Sequence, residues 1–472
     1  MDDISIIIAI IVVICWGGIP FLIWLYAIYE KRNEDFWRVK EALAQGKNVF
    51  ITGGAGTGKS FMIKRLLKHY KGLNGCVTST TGISALNIDG VTIHSWCDIA
   101  TGNEKANYYV EKIKDKKNKT VYRKIKFSKM LAIDEISMLC SRHFELINSV
   151  IQAIRGNNKP FGGIQLIVIG DFCQLPAVKS MPKYCFKTQL WNDCKFEKII
   201  LTKVWRQKDK DFIDILNKLR FVNTEEEKNE IKEYFKDNII FYKNRTPQQK
   251  QLMHIFGYKY KVSNHNKKRL KELDGEQKIF TAEDYVANIE YNGNERKLTK
   301  SINASINDIE KLNDKLRAPE NLEIKKFCRV MLIYNIDVES GLANGSMGTV
   351  VDFDNDTITV DFDNKKTGVR TISKIEFELP YDVSQSLVRK QYPIMLAYAI
   401  NVHKAQGLTL DSAVVDINSC WDEAGMVYTA LSRVKTKENL YILNSIDTSI
   451  FVSDKDAVKI SQNLPEFANE RK

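Results

Sequence analysis

The sequence predicts an α/β fold built on parallel sheets, and three observations predict it. The apolar run Val49-Phe50-Ile51 leads into Gly53-Gly54-Ala55-Gly56-Thr57-Gly58-Lys59-Ser60, and Phe61-Met62-Ile63-Lys64-Arg65-Leu66-Leu67 follows at helical spacing. That is a strand, a glycine loop and a helix in succession. Further nearly continuous apolar runs, Met130-Leu131-Ala132-Ile133 and Gln165-Leu166-Ile167-Val168-Ile169, flank helix-like sequence from Arg142 to Arg155. Strands of this kind are buried on both faces, as in a parallel sheet covered by helices. A second α/β block runs from Met395 to Leu443, and 472 residues are enough for two or three domains.

From the N-terminus, Ile4 to Tyr29 contains no charged residue. As a helix it would span about 39 Å against a hydrocarbon core of about 30 Å. Asp2 and Asp3 precede the run, and Lys31, Arg32 and Arg38 follow it. The expectation is a transmembrane anchor over residues 1–32, with residues 4–29 in the membrane. The bulk of a single-pass membrane protein would then lie on the cytoplasmic (or matrix-equivalent) side. A viral protein in host cytoplasm is one setting for it.

The glycine loop is the pattern of a phosphate cradle, whose backbone N–H groups turn inward at a helix N-terminus. Gly53, Gly54, Ala55, Gly56, Thr57 and Gly58 would form the cradle, Lys59 would reach the β- and γ-phosphates of a nucleoside triphosphate, and Ser60 would ligate Mg²⁺. Gly75 to Thr80 reads as a strand and Thr81 to Leu86 as a turn into a helix. Glu104 to Lys129 is polar and lysine-dense, an insertion. Asp134-Glu135 ends an apolar strand, so Asp134 would hold Mg²⁺ and Glu135 would orient and deprotonate the attacking water. Gly170-Asp171-Phe172-Cys173-Gln174-Leu175-Pro176 follows another strand, where an amide can sense the γ-phosphate. Asp211 to Arg220 reads as a helix and Thr224 to Asn244 as charged and poorly patterned. Val330 to Phe353 and Thr357 to Phe362 alternate like a small antiparallel unit.

The net charge of +12 favours a polyanionic partner, nucleic acid or an acidic membrane surface. The nine cysteines include no Cys-x-x-Cys pair, which argues against a zinc site and a disulfide framework and fits reduced thiols.

The segments GGAGTGKS, TSTTGISALNIDGVTIHSW, LAIDEISM, PFGGIQLIVIGDFCQLPAV, LTKVWRQKD, NGSMGTVVDF, AYAINVHKAQGLTL and VYTALSRV occur in that order. As a set, covering nearly everything from Asn48 to Leu443, the chain resembles a superfamily-one DNA helicase of the petite-integration-frequency (Pif-one) and RecD-like group. The resemblance implies two RecA-like domains, 33–205 and 206–472, with ATP between them. It also implies a wedge-like insertion at about 98–129 in the first and a small β-barrel at about 330–385 in the second. It matches Gln174 to the γ-phosphate sensor, Arg206 to an arginine reaching the γ-phosphate from the second domain, and Arg433 to the arginine finger. Lys59, Ser60, Asp134 and Glu135 keep the roles derived above. Thr80, Thr81, His94, Ser95 and Trp96 match the first-domain strand-binding segment, with Trp96 suited to base stacking. His403, Lys404, Gln406 and Thr409 match the second-domain one.

The implied activity is ATP-dependent unwinding of DNA, moving five-prime to three-prime on single-stranded or forked DNA, in replication, repair, recombination or telomere maintenance. A strand-stimulated translocase that does not unwind, an RNA-acting helicase and an inactive membrane-bound DNA tether are the alternatives. One departure stands out. The family's adenine-reading glutamine is replaced by Phe36, which either stacks on the base or packs.

Overall fold

The computed structural model describes residues 34–462 apart from 71–72, 74–75, 82–83, 86–87, 89, 100–101, 103, 115–118, 177–183, 293–294, 317, 335, 338–339, 343–344, 365–366, 382–384 and 422. The first domain is a six-stranded sheet: β1 (Val49–Gly53), β2 (Val77–Ser79), β3 (Val91–Thr92), β4 (Met130–Asp134), β5 (Gln165–Ile169) and β6 (Glu197–Leu201). Every pairing is parallel and the spatial order is β3-β2-β4-β5-β1-β6.

Successive side chains of a strand point to opposite faces, so one apolar run supplies two cores. Val49, Ile51, Ile167 and Ile169 pack with Met62, Ile63 and Leu66 of the helix Lys59–His69. Phe50, Leu131, Ile133, Leu166 and Val168 pack on the other face, with Phe144, Ile147 and Ile151 of the helix Ser141–Arg155. The lysine-dense insertion forms the helices Ala106–Lys114 and Lys119–Phe127. Their Tyr109, Val110, Ile113 and Ile125 join that second core, so the insertion is anchored by its apolar side.

The second domain has its own parallel sheet, in the order Ala399–Asn401, Met253–Phe256, Ala413–Asp416, Leu440–Leu443 and Ile239–Ile240. The charged stretch after Thr224 is the helix Glu225–Phe235, whose start is fixed by a reciprocal capping box between Thr224 and Glu227. Antiparallel strands fill the interval between Phe256 and Ala399. Val369–Ser373, Thr357–Phe362, Met347–Phe353, Arg329–Leu332 and Ile394–Leu396 form one sheet. Glu295–Asn303, Glu283–Asn292, Gln385–Gln391 and Ile375–Pro380 form another. The antiparallel region therefore runs from Gln277 to Leu396, wider than the expected 330–385. Glu283–Asn292 buries Tyr285, Val286 and Ala287 in succession and Glu295–Asn303 is mostly polar, so neither shows the alternation that marks a half-buried strand.

The chain then returns to the first domain. Ala457, in the helix Lys455–Ser461, is buried in its core, the Cys173 thiol points to the Ala457 carbonyl at 3.5 Å, and Lys187 pairs with Asp456. The helix Lys210–Phe221 bridges the domains from the other side. Arg220 donates from Nη2 to Asp171 Oδ1 at 2.8 Å, with both side chains buried. All eight cysteines among the described residues are free and buried.

The membrane expectation is corrected. Residues 4–29 lie outside the described residues, and among the described residues no helix is long and apolar enough to cross a membrane. The single-pass localisation, the membrane partner and the transmembrane element of the fold class are withdrawn with it.

Removing one partner of a buried ion pair leaves the other charge uncompensated. Arg220→Leu is therefore expected to destabilise the protein by about 3–5 kcal/mol, measured as a lower urea midpoint. An unchanged midpoint would show that the pair does not tie the helix to the first domain.

Candidate nucleotide site and strand-facing residues

β4, β5 and β1 are neighbours, so their carboxyl ends bring three loops together, where open α/β sheets bind ligands. The glycine loop follows β1. Gly56 has φ +77°, and a Cβ there would lie 2.6 Å from Arg206 Cβ. Both the left-handed backbone and the approach of the Arg206 segment demand glycine. Lys59 Nζ donates to the carbonyls of Gly53 (2.8 Å) and Gly54 (2.9 Å). Burial pushes its pKa down, opposed by the carboxylates of Asp171, Glu135 and Asp134.

At the end of β4, Asp134 Oδ2 accepts from Ser60 Oγ at 3.1 Å and Oδ1 accepts from the Glu135 N–H at 2.9 Å. Burial, reinforced by the charge of Glu135, pushes the Asp134 carboxyl up to about 7. Glu135 is itself buried and held at φ +52°, uncommon for a residue with a side chain. After β5, Gln174 Nε2 donates to Asp171 Oδ2 at 3.2 Å, and Asp171 Oδ1 takes Arg220 and the Cys173 N–H.

Two arginines come from beyond the first sheet. Arg206 Nη1 donates to the Ser432 carbonyl at 2.9 Å. Arg433, 2 % exposed, donates from Nε to the Thr429 carbonyl and from Nη2 to Ser432 Oγ, both at 2.7 Å. Burial, then the neighbouring Arg433 charge, brings the Arg206 pKa down to about 9. Burial lowers that of Arg433 as well. Their hydrogen bonds go to neutral oxygens, so an anion between them and Lys59 would relieve the electrostatic cost.

Sequence reasoning missed Tyr428. Its hydroxyl accepts from the Ala55 N–H at 2.7 Å, so the second domain touches the glycine loop directly. The residue lies in the quoted segment VYTALSRV, but nothing in its spacing separates a contact from a core tyrosine. Trp205 was missed too. Its backbone N–H donates to the Gly56 carbonyl at 2.8 Å, the residue is 53 % exposed, and Lys203 Nζ lies 4.1 Å from its ring centre. Phe36 packs rather than waiting for a base. It is 2 % exposed, with the Arg65 guanidinium 3.9 Å from its ring centre and His69 beside it.

The strand-facing candidates divide. Thr80 Oγ1 donates to the Glu135 carbonyl at 2.9 Å, and Thr81 Oγ1 to Ser84 Oγ at 2.9 Å. Ser95 is hydrogen-bonded to Thr92. His94 Nε2 is 3.4 Å from His143 Nδ1, and burial with that neighbour pushes its pKa down to about 4. His403 lies over Trp421 with ring centres 6.0 Å apart, Asn401 Oδ1 accepts from the Lys404 N–H at 3.0 Å, and Thr409 is exposed. Two expectations need correction. Trp96 is fully buried in the first domain's core and has no face to offer a base. Gln406 is buried at the hydrolysis site instead of on a strand surface, donating from Nε2 to Glu135 Oε2 at 3.2 Å. Its Oε1 has no hydrogen-bond partner.

Residues 33–230 match the family model of PIF1-like helicases, and residues 309–353 match that of the DNA helicase Pif1 2B domain. The chain is 32% identical over 445 residues to the ATP-dependent DNA helicase PIF1 of Danio rerio, covering 93% of this chain and 64% of that protein. It therefore spans less than two thirds of that relative. It is 30% identical over 420 residues to the ATP-dependent DNA helicase Pif1 of Bdellovibrio bacteriovorus, covering 88% of each. The crystal structure of the Pif1 helicase from Candida albicans superposes with a TM-score of 0.75 at 29% identity, covering 91% of this chain and 98% of that one. The chain belongs to the Pif1 family of helicases.

Proposed function

We propose that the chain is an ATP-dependent DNA helicase that hydrolyses ATP between its two α/β domains and moves on single-stranded DNA. The observation that carries the reading is the convergence of Lys59, Asp134 and Glu135 from one domain with Arg206 and Arg433 from the other. The relatives' names support ATP as the fuel and DNA as the track. The five-prime to three-prime direction, and a part in replication, repair or recombination, rest on family membership alone.

The site supports this division of labour. The triphosphate enters the glycine loop, and Lys59 exchanges the Gly53 and Gly54 carbonyls for β- and γ-phosphate oxygens. The paired oxygens of Ser60 and Asp134 suit a hard cation, which ligates oxygen, and Mg²⁺ bound there would offset charge on the phosphates. Glu135 orients the water that attacks the γ-phosphorus and accepts its proton as the bond to ADP breaks. Gln174, fixed by Asp171, senses the γ-phosphate. Arg206 and Arg433 spread the charge of the transferred group once the domains close.

Thr80, Thr81, Ser95 and Thr409 offer hydroxyls, Lys404 a cation and His403 a ring N–H, the chemistry of phosphate contacts, and His94 belongs to the same set. The insertion at about 98–129 is a candidate wedge at the fork. Phe127 there is 73 % exposed amid lysines.

Lys59→Ala and Glu135→Gln are each expected to lower DNA-stimulated ATP hydrolysis and forked-duplex unwinding by at least about a hundredfold, measured by phosphate release and strand displacement. Unchanged turnover in either variant contradicts the mechanism. A wild type that hydrolyses ATP on DNA but leaves forks intact would be a translocase. Phe36 is packed away and carries no amide that could read an adenine edge. GTP is therefore expected to support kcat/KM within about tenfold of ATP, roughly the worth of one net hydrogen bond. A much stricter preference for ATP would show that another group reads the adenine.

A further inference from the structure

Three neighbouring strands of the second sheet, Ala399–Asn401, Met253–Phe256 and Ala413–Asp416, each carry aromatic residues just beyond their carboxyl ends. His403 follows the first, Tyr258 and Tyr260 the second, and Trp421 the third. Their rings make one row. His403 lies over Trp421 at 6.0 Å with an interplanar angle of 27°, Trp421 meets Tyr258 at 5.2 Å and 37°, and Tyr258 meets Tyr260 at 5.6 Å and 31°. The loops that hold the row are locked together. Gly257 N–H donates to Ser419 Oγ at 2.8 Å, and a Cβ at Gly257 would lie 1.9 Å from the Ser419 carbonyl oxygen.

An apolar row that existed only for packing would be covered. This one opens outward: Trp421 packs partly against the core, Tyr258 is 40 % exposed and Tyr260 60 % exposed. Lys259 and Lys261 alternate with the tyrosines; Lys261 Nζ is paired with Asp416 Oδ2 at 3.0 Å, so Lys259 and, across the row, Lys404 are the cations beside the rings. The far end of the row is His403, beside Lys404 in the segment proposed above to face the strand. Tilted aromatic faces interleaved with cations are the chemistry of a single-stranded nucleic-acid surface. They do not suit a duplex, whose bases offer no free face.

We propose that Tyr258, Tyr260 and Trp421 form a base-stacking platform for single-stranded DNA on the second domain, continuing the strand path from His403 and ending at Tyr260. The platform replaces the stacking surface that the buried Trp96 does not provide. It rests on the helicase reading for the strand's presence, and adds to it a place where bases rather than phosphates are held. Since every base has a stacking face, the grip is indifferent to sequence, as a translocating motor requires.

The test uses the full chain and a fluorescent oligothymidylate, compared with an abasic strand of equal length. Tyr260→Ala removes an exposed side chain and is expected to weaken binding of the intact strand about tenfold. Tyr260→Phe, which keeps the ring, should bind like the wild type. On the abasic strand, wild type and Tyr260→Ala should bind alike. The salt dependence of binding should be unchanged in Tyr260→Ala, because no phosphate contact is lost. The strand concentration that half-stimulates the ATPase should rise in Tyr260→Ala and stay at the wild-type value in Tyr260→Phe. Equal binding of the intact strand by Tyr260→Ala and wild type, or an equal loss on the abasic strand, overturns the platform. A wild type that shows no strand-stimulated ATPase sinks the helicase reading instead, and the binding comparison stands apart from it.

Discussion

The proposed hydrolysis site hangs on how Glu135 is held. Its backbone is left-handed, its N–H is committed to Asp134, its carbonyl takes the Thr80 hydroxyl, and its carboxylate takes the Gln406 amide. Thr80 comes from the first domain and Gln406 from the second. In the proposed mechanism Glu135 is the general base, which must stand within hydrogen-bond reach of its water, and its position is set by segments of both domains at once. Any movement of either segment on a strand is a movement of the groups that aim the base. The unpartnered Oε1 of Gln406 fits the same picture, since a buried acceptor without a donor marks a group free to re-pair.

The charges around Glu135 follow from burial. Lys59, Asp134, Arg206 and Arg433 all have their charged forms disfavoured chiefly by desolvation. Lys59 rests on carbonyls of its own loop, and the two arginines rest on carbonyl and hydroxyl oxygens. These are exchangeable partners, weaker than phosphate oxygens would be. The contact between Tyr428 and the Ala55 N–H and the ion pair of Arg220 with Asp171 tie the two domains together beside these groups. The return of the helix Lys455–Ser461 to the first domain adds a third tie, so a simple division of the chain at residue 205 does not describe how the two halves are held.

Much of this was legible from residue patterns. The glycine loop, Asp134-Glu135 and the segment ending in Gln174 each sit at a strand's carboxyl end, and local order along the chain is enough to place them. Arg206 and Arg433 were legible only through the family's order of segments, because an isolated arginine carries no signal of its destination. Tertiary facts were lost. Trp96 lies in the segment that resembles the family's first-domain strand-binding one, while three-dimensional packing makes it core. Gln406 shares a segment with exposed residues yet turns inward to Glu135. The width of the antiparallel region is not legible because Glu283–Asn292 buries three consecutive residues, Tyr285 to Ala287, and Glu295–Asn303 is mostly polar, so neither alternates. The apolar run at 4–29 was read from hydropathy alone, and no described helix supplies a membrane span.

If Glu135 is where strand and nucleotide meet, binding of one must alter affinity for the other, and reciprocally. The direct measurement is the dissociation constant of an ADP–aluminium fluoride complex with and without saturating single-stranded DNA, in the wild type and in Gln406→Ala. The account predicts that the strand tightens the analogue's binding to the wild type by about fivefold or more, and that Gln406→Ala removes most of that gain while still binding both ligands. Equal coupling in the two proteins would contradict it, and would move the link between strand and hydrolysis elsewhere.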